Sequence, residues 1–455
     1  MGVDKKSLLI LAVIILIFAL IQAPGLNHTT LGDEHAYFYM GKLISEGSLP
    51  YKDFFFAHPP IQIMFFAVIF KIFGFNLIML KSVALLANIL SAIFLFKITK
   101  RYSLHHAAIS TILFLFTYTI MTEATYAYGI EIATTFTLIS FYYLQKNNPI
   151  KAGIFYTIAT LTALQSLILL PAILLYLFLK KNKTNLVKFS ITFFAIFIII
   201  NLLLTLTLDN YFTDVYKFHL IKPKLEGDSL GKITDFIINN WFLSVSFIIF
   251  FALSKLRRFY LFLFPIIIYL LFLLISNRIF DYYFIILIPF LSILASQGIL
   301  NLTKKIKGKH HIIAGFLAII FLIPTISTTI YLQKTDFQNF QSLNELTNFI
   351  KTNSKESDQL FGDLYTTPML SLYTERKIAF NFVDTNGLRF LSNLPPIERV
   401  INQLKQEKTK FIIIRPDLGI STSPELHKFV TEECKIAKQV NDPVFGEIII
   451  FDCQE

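Results

Sequence analysis

Apolar residues gather in long uninterrupted runs up to about residue 331 and thin out to ordinary globular density beyond it. As helices, runs near 20 residues cross a hydrocarbon core of roughly 30 Å. Eleven candidate spans follow: 8–24, 77–98, 106–122, 131–145, 151–164, 167–180, 187–208, 241–254, 259–276, 282–301 and 311–331. Lys5 and Lys6 ahead of the first run would suit a signal peptide. No small-residue cleavage site follows, so the run reads as a retained helix.

Two connectors stand out by length, 25–76 and 209–240. In the first, the spacing predicts a short amphipathic helix over 34–46, with Tyr37, Met40, Leu43 and Ile44 on one side, broken by Leu49-Pro50-Tyr51. A second helix is expected from His58-Pro59-Pro60 to Phe73, ended by Gly74. It is apolar, but a span there would invert every later connector. It is therefore expected to lie in the membrane interface.

After residue 334 the periodicity predicts helices over 340–353, 396–408 and 423–438. Strands are expected at 359–362, 378–382, 410–415 and 446–452. Their alternation points to a small, partly parallel α/β sheet. The fold class expected is a polytopic α-helical membrane protein with about eleven transmembrane helices and a soluble C-terminal α/β domain. Residues 1–331 form the membrane domain and 332–455 the tail.

Composition agrees: 55% hydrophobic and 16% charged residues exclude an ordinary soluble enzyme of 455 residues. The net charge of +11 has a topological reading. Eighteen Lys and Arg residues fall on one alternate set of short connectors, from Lys5 and Lys6 through Lys97, Lys146, Lys180 and Arg257 to Lys309. By the positive-inside rule that set is cytoplasmic, with the N-terminus. An odd span count then puts the long connectors and the tail outside, and nucleic acid is not an expected partner. Cys434 and Cys453 share the outer tail, where a disulfide is permitted and the sequence leaves it open.

The candidate chemistry begins at Gly32-Asp33-Glu34-His35, just past the first helix. Two adjacent carboxylates there can be a solvated helix cap. They also open an ordered series: Gly32-Asp33-Glu34, Tyr37, Gly41, Gly47, Pro50-Tyr51, Asp53 and His58-Pro59-Pro60. The series resembles the first outer loop of GT-C glycosyltransferases, in the branch of protein O-mannosyltransferases, aminoarabinose transferases and related prokaryotic sugar transferases. The likeness extends to Glu131 after Thr125-Tyr126-Ala127-Tyr128-Gly129, to Gly153, and to Asp281-Tyr282-Tyr283 ahead of Pro289. It covers most of residues 1–331; the tail matches only in general type.

The resemblance implies an inverting transferase. It would move a sugar from a polyprenyl-phosphate donor to an acceptor hydroxyl on a lipid, glycan or protein, at the outer face of the membrane. The loop aspartate of such enzymes is the general base, a role that falls on Asp33, with Glu34 as the alternative. A carboxylate near lipid is a better base because desolvation raises its pKa. The leaving lipid phosphate calls for cations, and His219, Lys222, Lys224 and Arg278 are the candidates, with Lys217 beside them. Tyr37, His58, Glu131 and Tyr282 complete the expected substrate contacts. Each has a plainer alternative as a solvated, headgroup-facing or structural residue, and Glu131 or Glu123 can equally bond a nearby tyrosine. No cofactor is implied; His35 and His58 could bind a divalent metal, but no His/Asp spacing favours it. Asn27-His28-Thr29 is a glycosylation sequon.

Three other classes compete. A transporter or flippase would carry ionisable or helix-breaking residues inside its spans and internal repeats, whereas here the polar residues cluster in outer connectors. A non-catalytic assembly protein would tolerate loss of Asp33. An oligosaccharyltransferase would be expected to carry a Trp-Trp-Asp motif, and this chain has one tryptophan.

Overall fold

The computed structural model describes residues 5–454 except 31, 224–226, 306–322, 324, 332–338, 408 and 417–418. Most of the expected span 311–331 therefore lies outside the described residues, as does Lys224. The described chain is a helical membrane protein whose end folds into a small mixed sheet.

The chain divides into two compact units that interleave along the sequence. One takes Met1–Leu26, Lys81–Asn201 and Lys224–Thr335; the other takes Asn27–Leu80, Leu202–Pro223 and Asp336–Glu455.

Helices occupy the expected runs of the first unit and its borders: Lys5–Gln22, Leu77–Thr99, Leu104–Leu115, Ile130–Gln145, Pro149–Thr162, Leu170–Leu179, Lys183–Thr207, Trp241–Leu253, Tyr260–Ile275 and Ile288–Lys305. Their lengths are less uniform than the hydropathy. Among the described residues four helices are long and apolar enough to cross a membrane alone: Lys5–Asn27, Leu77–Thr99, Lys183–Thr207 and Leu256–Ile275. A fifth is reached if Ser229–Asn239 and Trp241–Leu253, bent by 89°, count as one span. Helix length does not establish the expected eleven. Pro149–Thr162 has 14 residues and rises about 21 Å, short of the hydrocarbon thickness. The shortening has local causes, since Ala163 is extended (φ −145°, ψ 123°) and ends that helix. Within this unit helices approach closely. A Cβ on Gly298 would stand 2.4 Å from the Ser246 carbonyl oxygen and 2.7 Å from Phe250 N, the small-residue contact that membrane helices favour. Buried polar groups bond across helices, as Ser91 does with Thr135 (2.9 Å) and the His106 ring with the Ile293 carbonyl (2.9 Å).

In the second unit, the helix Glu34–Ser45 is buried on nearly every side, not one-sided as its pattern suggests. Gly41 lets the helix Ile61–Phe73 approach: a Cβ there would meet Phe66 Cβ at 2.5 Å. On another side the Tyr39 hydroxyl accepts the Ile378 N–H at 2.8 Å, drawing in the tail. Ile61–Phe73 buries Ile63, Phe66, Ala67 and Phe70, while Met64, Phe65, Val68 and Ile72 face outward. At 13 residues and about 20 Å it is short for a span, and its outward apolar stripe suits an interfacial position. It ends as expected at Gly74 (φ 64°), whose N–H reaches the Phe70 carbonyl.

The tail sheet has β1 (Gln359–Gly362), β2 (Lys377–Ile378), β3 (Phe411–Ile414), β4 (Lys435–Asp442) and β5 (Gly446–Asp452) in the order β2-β1-β3-β5-β4. The first three strands in that order run parallel, and β5 and β4 join antiparallel. The partly parallel sheet matches expectation, with two corrections. The strand expected over 378–382 is cut to Lys377–Ile378 and gives way to a helical turn at Ala379–Asn381. The helix expected over 423–438 stops at Glu433, and residues from Lys435 form β4. Pairing of Lys435 with Asp452, and a disulfide between Cys434 and Cys453, override a sequence that has no helix breaker there.

Candidate active site

Asp33 stands at the N-cap of Glu34–Ser45, yet its side chain makes no capping hydrogen bond. Its backbone is helical (φ −69°, ψ −12°), whereas a capping side chain ordinarily springs from extended backbone. The carboxylate instead takes a hydrogen bond from Tyr37, one turn along the same face. Burial pushes the Asp33 carboxyl up to about 6, the negative charge of Asp384 pushes the same way, and the Tyr37 bond opposes both. Glu34 points elsewhere. It is fully buried, accepts the Thr30 hydroxyl at 2.9 Å and lies 3.9 Å from the His35 ring. The adjacent carboxylates thus have different surroundings, and Asp33 is the one with some solvent access.

The segment 51–60 carries the next groups. Tyr51 adopts a left-handed backbone (φ 65°), donates its hydroxyl to the His58 carbonyl at 2.7 Å and packs edge-on against Tyr211. His58 Nε2 comes within 3.3 Å of the Tyr37 hydroxyl. The His219 ring lies 5.9 Å from the His58 ring, and its Nε2 bonds the Ala57 carbonyl at 2.8 Å. A carbonyl only accepts, so Nε2 carries the hydrogen and, in the neutral ring, Nδ1 is left as an acceptor. Lys222 stands over the Phe218 ring at 5.6 Å. Burial drives His58 down to about 3, helped by the positive charge of His219 and Lys222. His219 falls to about 4 by burial and then by Lys222, and Lys222 itself is lowered by burial. Burial disfavours the charged form of all three, Lys222 adds to the penalty on both histidines, and an anion beside them would relieve it.

Three charged residues here carry no signal in the sequence. Asp214, in the short helix Thr213–Lys217, is buried and accepts the Phe56 N–H. Its carboxyl is pushed up to about 7 by burial, with Arg389 and the Phe56 bond opposing and Asp384 adding to the rise. Asp384 takes the Asn386 N–H at 2.9 Å; burial raises its pKa and Arg389 counters. Arg389, buried in the helix Gly387–Leu391, donates to the Asp384 carbonyl at 2.8 Å and lies 4.2 Å from the Phe55 ring and 4.1 Å from Phe382. Asp384-Thr385-Asn386-Gly387 reads as a polar turn, which marks a loop but no chemistry. The contacts that matter come from residues far away in sequence.

Asp33, Tyr37, His58, His219 and Lys222 therefore belong to one compact unit. Glu131, Arg278 and Tyr282 belong to the other. Glu131 is buried in the first turn of Ile130–Gln145, behind Gly129 (φ 86°). Tyr282 stacks on Tyr128 at 4.4 Å and on Phe280 at 5.5 Å, and exposed Arg278 covers Phe280 at 5.0 Å. Among the described residues, no three His, Cys, Asp or Glu side chains are grouped so as to hold a metal ion.

Residues 57–207 match the profile of the dolichyl-phosphate-mannose-protein mannosyltransferase family. No curated protein matches the chain by sequence. Solved structures do match. ArnT from Cupriavidus metallidurans bound to undecaprenyl phosphate aligns with a TM-score of 0.69 at 14% identity, over 99% of this chain and 98% of ArnT. The apo form gives 0.71 at 13% identity, over 98% of each chain. An oligosaccharyltransferase from Archaeoglobus fulgidus, in complex with zinc and sulfate, gives 0.54 at 15% identity, over 89% of this chain and 67% of that one. Arabinofuranosyltransferase AftD from Mycobacteria gives 0.55 at 12% identity, over all of this chain but 40% of AftD. The chain has the fold of the GT-C membrane glycosyltransferases and carries the mannosyltransferase family pattern over residues 57–207.

Proposed function

We propose that this protein transfers a sugar from a polyprenyl-phosphate donor to an acceptor hydroxyl, with inversion, on the outer face of the membrane. Asp33 removes the hydroxyl proton as the acceptor oxygen attacks the anomeric carbon. The bond from that carbon to the phosphate oxygen breaks, and the lipid phosphate leaves with the electron pair. Lys222 receives its negative charge, and His58 and His219 share it on taking a proton from solvent. Glu131, Arg278, Tyr282 and Lys224 are proposed as further substrate contacts, each open to separate substitution. The donor assignment draws on ArnT, which was solved with undecaprenyl phosphate.

One observation supports this reading above the others. Asp33 has a carboxyl raised to about 6 and lies in the same compact unit as three bases whose charged forms are disfavoured. A base with that pKa is largely ionised at neutral pH and still takes a proton readily. Glu34, spent on Thr30, is the weaker candidate.

Purified protein given a panel of polyprenyl-phosphate sugars should release lipid phosphate. Asp33→Asn should lower turnover by about 10²- to 10⁴-fold, the range for loss of a general base, while Glu34→Gln retains most of it. Turnover in Asp33→Asn equal to wild type would remove Asp33 from the mechanism, and failure with every donor in the panel would remove the transferase reading.

A further inference from the structure

Arg389 ties together three stretches that are far apart in the sequence. Its guanidinium lies over the Phe55 ring of the first connector and over the Phe382 ring of the tail, at 4.2 and 4.1 Å. One Nη donates to the Asp384 carbonyl at 2.8 Å, and the charge also acts on Asp214, whose carboxylate holds the Phe56 N–H. Arg389 is 8% exposed, and its Nε has no hydrogen-bond partner. The group is thus held by the two rings, by the Asp384 carbonyl and by the charges of Asp384 and Asp214. Phe55, Ala57 and Phe218 form a small apolar cluster, backed by Leu388 and Leu394 on either side of Arg389 in the sequence.

The residues held this way are the immediate neighbours of the proposed phosphate cradle. Phe55 and Phe56 lead directly into Ala57, whose carbonyl fixes the His219 ring, and into His58, which meets Tyr37. Resting on the transferase reading above, we propose that Arg389 is a positioning residue. Its guanidinium sets the place of residues 55–58, and the tail is thereby a working part of the site and not a packing lid. Lysine substitutes only in part, because an ammonium keeps the charge but has no plane to lie over the rings.

The test uses full-length Arg389→Lys, Arg389→Met and Arg389→Ala in detergent or vesicles, beside wild type and Asp33→Asn. Donor KM should rise about tenfold in Arg389→Met, with a fall in kcat, since small misplacements of reacting groups cost up to about 10²-fold. Inactive or unfolded protein lowers apparent kcat but leaves KM unmoved, so the KM shift separates positioning from a folding defect. Arg389→Lys should fall between Met and wild type, and added guanidinium should recover part of the loss in Arg389→Ala. Amides of residues 55–58 should exchange hydrogen faster in Arg389→Met, a readout that needs no substrate. Unchanged donor KM together with unchanged exchange at 55–58 overturns the inference, even if Asp33→Asn is inactive and the transferase reading stands. Should wild type turn over no donor, the transferase reading fails and hydrogen exchange alone decides whether Arg389 holds the segment.

Discussion

Asp33 and Asp214 are carboxylates kept at a cost. Their folded pKa values, about 6 and about 7, lie above the ordinary aspartate value of 3.8. Between the ordinary and the folded value the native state binds more protons than the unfolded chain. The contribution of these two carboxyls to stability is therefore fullest below about pH 4 and is lost as pH rises through 6 to 7. Removing the charge should remove the penalty. Asp33→Asn is expected to raise the apparent melting temperature at pH 8 by a few degrees, for a gain on the order of 1–2 kcal/mol, and to change it little at pH 4. A melting series in detergent across pH checks this, and a gain independent of pH would refute the electrostatic account. The same contrast explains why sequence alone could not choose between Asp33 and Glu34. Both are acidic and adjacent, and only the fold shows Glu34 bonded to Thr30 and Asp33 facing Asp384.

At the scale of elements, the helices Glu34–Ser45 and Ile61–Phe73 meet with no room at Gly41. Gly41→Ala would place a methyl 2.5 Å from Phe66 Cβ and near the backbone of Phe66 and Ala67, so the helices must part. A loss of about 1–3 kcal/mol is expected, and because Asp33 and Tyr37 ride on the same helix, turnover should fall with it. Thermal melting and lipid phosphate release measure both, and wild-type values in each would show that the contact is not tight. These two helices were legible in the sequence because Pro59-Pro60 and Gly74 punctuate them locally. Strand β4 was not. Residues 430–437 contain neither glycine nor proline, and the switch at Cys434 is imposed by pairing with β5 from beyond a turn. Asp214 and Arg389 were illegible for the same reason, since their meaning arises only from partners across the fold.

For the whole molecule, the membrane class was plain from the apolar runs, whereas the number of spans was not. Hydropathy records that a stretch is apolar, but not where a residue such as Ala163 ends its helix. Orientation rests on the distribution of Lys and Arg, and the Cys434–Cys453 disulfide offers a direct check. If the tail is outside, an impermeant reductant followed by an impermeant maleimide should label both cysteines in intact cells. Little labelling is expected without the reductant. Labelling that requires cell lysis would place the tail in the cytoplasm and invert the topology. The legible part of the proposed site lies in the two long connectors, from Asp33 to His58 and at His219 and Lys222. What the tail adds could be found only once three sequence stretches were seen to close into one unit.

That interleaving has a consequence for how the protein is made. Asp33 is synthesised early, whereas Asp384 and Arg389 follow about 350 residues later. At 5–20 residues per second that is a delay of roughly 20–70 s. Throughout it Asp33 lacks the charge of Asp384, and residues 55–58 lack the proposed Arg389 contact. On the proposed function, a partly inserted chain would meet a lipid-linked donor with the proposed base untuned and the proposed cradle loose. If the proposed function holds, the site is complete only once residue 389 has been made, so the order of the segments sets when activity can begin.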